Sequence, residues 1–134
     1  MGHAQNIVAF TKTAKPVALS YDWVAQNLYW LEVDTASLKG QVMAAKADGR
    51  YRRSVVPRGI DTPTSLAANP VLGQLYWAQA GSEPRIETSW MDGTKRKVRS
   101  LFPPEFPGKS LPFQNFALNV FGGDIRAYYV NKRT

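Results

Sequence analysis

Cysteine is absent from this chain, and histidine occurs once, as His3. The first absence rules out disulfide staples, thiolate metal sites and a cysteine nucleophile in these residues. It leaves the compartment open, because large β-cores hold without disulfides in any redox environment. No Gly-rich phosphate loop and no paired metal-ligand spacing occur either, so the chain is expected to have no catalytic residue, no metal site and no cofactor. None of the six asparagines has Ser or Thr two places on, which removes N-glycosylation acceptors. No apolar run is long enough to span a bilayer. The first six residues lack a basic flank followed by an apolar core, so they do not read as a secretion signal, and an extracellular protein would need one from an upstream region.

What is present is ordinary globular usage: 134 residues, 44% hydrophobic and 20% charged, enough for one domain with a real core. Seventeen basic residues against ten acidic ones leave a formal charge of +7, a surface that favours acidic partners and weak polyanion binding.

The informative feature is a repeat. Leu28-Tyr29-Trp30 returns as Leu75-Tyr76-Trp77, 47 residues later. Pro16 and Pro63, Leu19 and Leu66, and Asp22 and Asn69 stand at that same offset, while Asp48-Gly49 and Asp92-Gly93 close the two units. A period of roughly 40 to 50 residues with strand-like segments marks a β-propeller or a similar array. Within each unit four short strands are expected: 17–21, 28–33, 41–46 and 52–56, then 64–68, 74–79, 86–91 and 95–101. Pro57-Arg58-Gly59 reads as the exit from the first unit. A Pro- and Phe-rich connector follows from Phe102, and Phe116 to Val120 with the turn Phe121-Gly122-Gly123-Asp124 repeat the first strand of a unit. The expected layout is all-β: 1–13 ending a preceding blade, with Ile7 to Phe10 as its last strand; blades at 14–59 and 60–101; a connector at 102–112; and the start of a third blade at 113–134.

These residues resemble the YWTD repeats of the low-density-lipoprotein receptor family, which also occur in nidogen-type basement-membrane proteins. The match runs through Pro16, Ala18, Leu19, Asp22, Tyr29, Trp30, Asp48, Gly49 and Arg53. It returns at Pro63, Leu66, Ala67, Tyr76, Trp77, Ile86, Glu87, Asp92, Gly93 and Arg96. In the third unit Arg126-Ala127 replace the Tyr-Trp pair. The Thr-Asp that follows Tyr-Trp in the family is Leu31-Glu32, Ala78-Gln79 and Tyr128-Tyr129 here, and Glu32 and Gln79 keep an acceptor of greater reach. The family's following Trp is Val33, Ala80 and Val130, so an aromatic ligand anchor is not carried over. A family propeller has six blades, so the resemblance implies a partial YWTD-type propeller: two whole four-stranded blades and partial flanking ones.

The resemblance further implies a segment of an endocytic or signalling receptor on the extracellular side of a membrane. It would bind an extracellular protein or lipoprotein, beside further blades and Cys-rich modules of the parent chain. A nidogen-type matrix module and a truncated product without independent function are the alternatives. Within the family acid-triggered release uses His residues; His3 lies outside both whole blades, so no such switch is expected here.

Tyr29, Trp30, Tyr76 and Trp77 are expected in the core between blades. Asp48-Gly49 and Asp92-Gly93 are expected to be turns, since one carboxylate at each is too few for calcium. Loops carry binding in such rings, which makes Glu32, Asp34, Arg58, Asp61, Glu83 and Arg85 candidate ligand-facing residues, from the 32–39 and 80–85 loops and the 58–62 connector. The second connector, 102–108, is a further candidate. Arg50, Arg52 and Arg53 after the first Asp-Gly, and Lys95, Arg96, Lys97 and Arg99 after the second, are expected to form one rim. That rim either blocks edge pairing or contacts heparan sulfate or another polyanion. Thr94 to Arg99 also resembles a nuclear-import run, but its place inside a strand argues against it, and no nucleic-acid partner is expected.

Overall fold

The computed structural model describes residues 8–101, 115–121 and 124–130, with side chains through residue 99. Among the described residues ten strands form and there is no helix. Strands β1 (Ala14–Asp22), β2 (Asn27–Asp34), β3 (Lys39–Lys46) and β4 (Arg53–Asp61) make one antiparallel sheet in chain order. Strands β5 (Pro63–Asn69), β6 (Gln74–Gln79), β7 (Arg85–Trp90) and β8 (Lys97–Leu101) make a second sheet in the same order. A third unit contributes β9 (Asn115–Phe121) paired with β10 (Asp124–Val130). The fold is therefore all-β, a partial propeller with two four-stranded blades and the beginning of a third.

Register explains how the repeat becomes two alike blades. Leu19 pairs with Trp30 and Leu66 with Trp77. In the third unit Leu118 pairs with Ala127, which places Ala127 at the Trp position. The first strand of each blade bulges just after its proline, between Pro16 and Ala18 and again between Pro63 and Ser65. Proline has no N–H for a ladder, so a strand start with a bulge is where the sheet tolerates it. The two Asp-Gly turns are also built alike. Gly49 N–H donates to the Lys46 carbonyl and Gly93 N–H to that of Trp90, with both glycines at positive φ, 93° and 88°. Glycine takes this conformation without a Cβ penalty. Asp48 and Asp92 accept from the backbone N–H two residues on, holding each turn.

Alternation sorts the side chains of a blade into two faces. Tyr29, Leu31, Val42, Ala44 and Val56 of the first blade, joined by Ile60, pack against Leu66, Ala68, Leu75 and Trp77 of the second. Each Trp thus looks back to the preceding unit, and Tyr29 looks forward to the next. Ser20 Oγ on β1 accepts the Ala68 N–H of β5 at 3.0 Å, tying the two first strands. The opposite face of the second blade meets the third unit, where β9 contacts β5 and β6. The backward face of the first blade carries Trp30, Met43 and Ala45, partly covered by Val8 and Phe10.

Two expectations change. Pro57-Arg58-Gly59 is not an exit: it lies inside β4, bulging opposite β3 between the pairs Val42–Val56 and Gly40–Ile60. Gly59 at φ 83° permits the bulge, and buried Ile60 keeps the strand on the core until Asp61, so Thr62 alone separates β4 from β5. Residues 8–13 form no strand; Ile7 and the 102–108 connector lie outside the described residues.

Candidate functional site

Tyr29, Trp30, Tyr76 and Trp77 are all buried. Burial, together with the nearby Asp22 carboxylate, pushes the Tyr29 hydroxyl above the ordinary tyrosine range. Their surroundings reassign part of the expected basic rim. Arg52 lies over the Trp30 ring and Arg96 over the Trp77 ring, each guanidinium carbon 5.5 Å from the ring centroid. Each arginine is also held by a buried carboxylate. Arg52 Nη2 is 3.2 Å from Glu32 Oε1, and Arg96 Nε and Nη2 are 2.9 and 3.0 Å from the two Glu87 oxygens. Each reaches carbonyls before its own blade: Arg52 donates to Ala9, and Arg96 to Arg58 and Gly59. Arg52 and Arg96 are thus clamps packed onto tryptophan and not a free rim. A planar, five-donor group can stack and chelate at once, which a lysine cannot.

The carboxylate has changed strand between the blades. Glu32 follows Trp30 by two on β2, and Trp30 Nε1 donates to it at 2.9 Å. At the matching place on β6, Gln79 instead accepts from the Asp61 N–H and donates to the Glu83 carbonyl. Glu87, paired across from Trp77 on β7, supplies the charge there, where the first blade has Met43. Trp77 Nε1 consequently has no partner among the described residues. Burial disfavours the charged form of Glu87, but the hydrogen bond and charge of Arg96, with the charge of Arg85, outweigh it and hold the carboxyl below the ordinary range.

Glu32 is therefore not a loop residue; it is buried within β2. The structure still brings Glu32, Asp34 and Arg58 to one cleft of about 330 Å³, with Lys39, Gln41 and Gly59 around it. Asp34 closes the β2–β3 turn by accepting the N–H of Ala36. Asp61 ends β4 and lies 3.5 Å from Lys39 Nζ. Glu83 is exposed and pairs with half-buried Arg85, which also faces Glu87 at 3.3 Å. Arg58 lies on the β4 bulge, not in a connector.

Of the remaining basic residues, Arg50 is bound to Asp48 at 2.7 Å, and Arg53 is exposed at the start of β4. Lys95, Lys97 and Arg99 are exposed, with no carboxylate partner among the described residues. Among the described residues no group of three or more His, Asp or Glu could hold a metal ion. Sequence reasoning missed the clamps, although a signal existed: Arg52 and Arg96 each stand four residues after the Asp of an Asp-Gly turn.

No protein-family profile matches the chain. It is 39% identical over 81 residues, 60% of its length, to the low-density lipoprotein receptor-related protein 5 of Mus musculus. It is 27% identical over 101 residues, 75% of its length, to the vitellogenin receptor of Solenopsis invicta. The matched segment is only 5% of either receptor. Among solved structures it is similar to a chain in the crystal structure of a nidogen/laminin complex, with a TM-score of 0.49 at 20% identity, covering 89% of this chain and 73% of that one. A protein from Lactobacillus plantarum gives 0.50 at 17% identity, covering 85% and 34%. The receptor matches fall on a chain folded as successive blades of one Tyr-Trp repeat, so over the aligned segments the chain is similar to receptors of the low-density-lipoprotein-receptor-related kind.

Proposed function

We propose that the chain is a non-enzymatic, extracellular interaction segment of a receptor of the low-density-lipoprotein-receptor-related kind, binding a protein or lipoprotein ligand. The observation that carries this reading is the 39% identity over 81 residues to such a receptor. The cleft holding Glu32, Asp34, Lys39 and Arg58 suits a ligand-facing surface, because it sets charges of both signs on strands β2, β3 and β4 of one blade. Sequencing the transcript through both sides of this segment tests the reading. In-frame YWTD-like units, Cys-rich modules and a membrane span are expected; their absence in the flanking frames would sink it.

A second reading, polyanion contact, is favoured by the unpartnered Lys95, Lys97 and Arg99 on and beside β8. It predicts salt-sensitive retention on immobilised heparin that drops when these three are changed to Ser. Unchanged retention would leave them as a charged edge that blocks strand pairing.

A further inference from the structure

Antiparallel meanders put the β1–β2 and β3–β4 turns at one end of a blade and the β2–β3 connection at the other. The exposed apolar side chains divide unequally between these ends. Trp23, Val24, Tyr51, Val71, Leu72 and Trp90 are exposed at or beside the first set of turns. Among the described residues Leu38 is the large hydrophobic exposed in the β2–β3 turn, and Val17, Leu19, Tyr21 and Val98 are exposed along the strands. Trp23 and Val24 sit in the β1–β2 turn, and Val71 and Leu72 in the β5–β6 turn. Those turns leave side by side, because Ser20 and Ala68, just before them, share a hydrogen bond. Both are held rigidly. Asp22 accepts from the N–H groups of Val24 and Ala25, and Asn69 from that of Leu72. The Gln26 and Gly73 carbonyls accept from Ala47 and Met91 in the neighbouring turns. Exposed apolar side chains gathered at one end of a fold mark a contact site.

Beside this strip a cleft of about 310 Å³ opens between the blades. Tyr29, Val55 and Met91 form its apolar walls, and Arg53 and Asp92 stand at its edge. The charge at this end is positive. Arg53, Lys46 and Lys95 have no carboxylate partner among the described residues, and Asp48 is paired with Arg50. Asp92, which accepts from Thr94, keeps its charge at the cleft edge, one anion beside three free cations.

We propose that this strip and cleft bind an acidic protein segment with apolar anchors. Its aliphatic or aromatic side chains would lie on Val71, Leu72 and Trp23, one of them entering the cleft, and its carboxylates would face Arg53 and Lys95. Apolar burial supplies affinity, and the unpaired basic groups select charge. A sulfated sugar would leave the apolar strip unused, and a flat bilayer would leave the cleft unused. The surface lies at the opposite end of the blades from the Glu32–Arg58 cleft, so the inference does not depend on the receptor reading.

The test uses the full chain and three fluorescein-labelled synthetic peptides of equal length, read by anisotropy. One alternates Asp or Glu with Leu or Phe, one replaces the acids with Lys, and one replaces the apolar residues with Ser. Saturable binding of the first peptide alone is expected. It should weaken about tenfold or more with Val71→Ser plus Leu72→Ser, and again with Lys95→Glu, while Leu38→Ser leaves it unchanged. These residues are exposed, so the variants keep the fold, which their circular dichroism checks. Four outcomes overturn the proposal: no saturable binding, equal binding by the Ser-substituted peptide, binding indifferent to the variants, or preference for phosphatidylserine vesicles over the acidic peptide.

Discussion

Arg96, just before β8, meets the Trp77 ring, both oxygens of Glu87, and two carbonyls on the bulge of the preceding blade. Truncating it would leave the buried Glu87 carboxylate with Arg85 as its one remaining cation and free two carbonyl acceptors. Arg96→Ala is therefore expected to lower unfolding stability by roughly 2–4 kcal/mol, discounted from a fully buried pair because the guanidinium is partly exposed. Arg96→Lys should recover less than half of that, since one ammonium cannot stack and chelate in several directions. Urea midpoints at constant slope check both; a loss under about 0.5 kcal/mol would make the clamp an ordinary surface pair. Glu87 contributes to the pH dependence, beside Asp48 and Asp92, whose carboxyls are also lowered by their turn hydrogen bonds. Its carboxyl is lowered in the fold, so the unfolded chain binds more protons just below the ordinary glutamate range. The stabilisation is fully present above that range and is lost as pH falls through the lowered native value. Glu87→Gln should flatten the acid limb of stability against pH, at the cost of lower stability at neutral pH.

At the scale of elements, the first strands of the two blades differ in what covers them. Leu19 on β1 is 66% exposed, whereas Leu66, its counterpart on β5, is 6% exposed against the first blade. Both strands make the same ladder with their second strands, so local hydrogen bonding does not separate them. Packing does. Amide exchange is expected to be faster in β1 than at matched positions of β5, because fewer buried contacts lower the opening free energy. Equal protection would mean that the blades open only as one unit. Much of this level was legible: the alternation around Tyr-Trp, the Pro-led first strands and the Asp-Gly hairpins are local signals. The end of β4 was not. Pro57 and Gly59 read as a stop, but a bulge absorbed both, and Ile60 returned the strand to a core supplied mostly by distant residues.

For the whole molecule, the decisive contact is between blades. A Cβ on Gly93 would stand 2.1 Å from the Val55 carbonyl oxygen, at a φ of 88° that side chains rarely adopt. Gly93→Ala is expected to cost about 2–4 kcal/mol, combining the left-handed penalty with steric displacement of β4. Gly73→Ala is the comparison, since its φ of 71° is similar but its nearest neighbour, Trp90, is 3.9 Å away. That change should cost only about 1 kcal/mol. Thermal unfolding of the two variants distinguishes an inter-blade clash from a shared turn requirement, and equal losses would remove the former.

The sequence by itself determined the repeat, its strand order and hairpin turns, and a resemblance specific enough to name a family, because each depends on residues near one another in the chain. Only the tertiary structure decided which of those residues are free to act. Arg52 and Arg96 looked like surface charge, and Glu32 like a loop acceptor, until packing set them against Trp30, Trp77 and the preceding unit. Likewise Trp23, Val24, Val71 and Leu72 are unremarkable in two separate turns. They become one surface because β1 and β5 lie side by side, a proximity that no local pattern encodes.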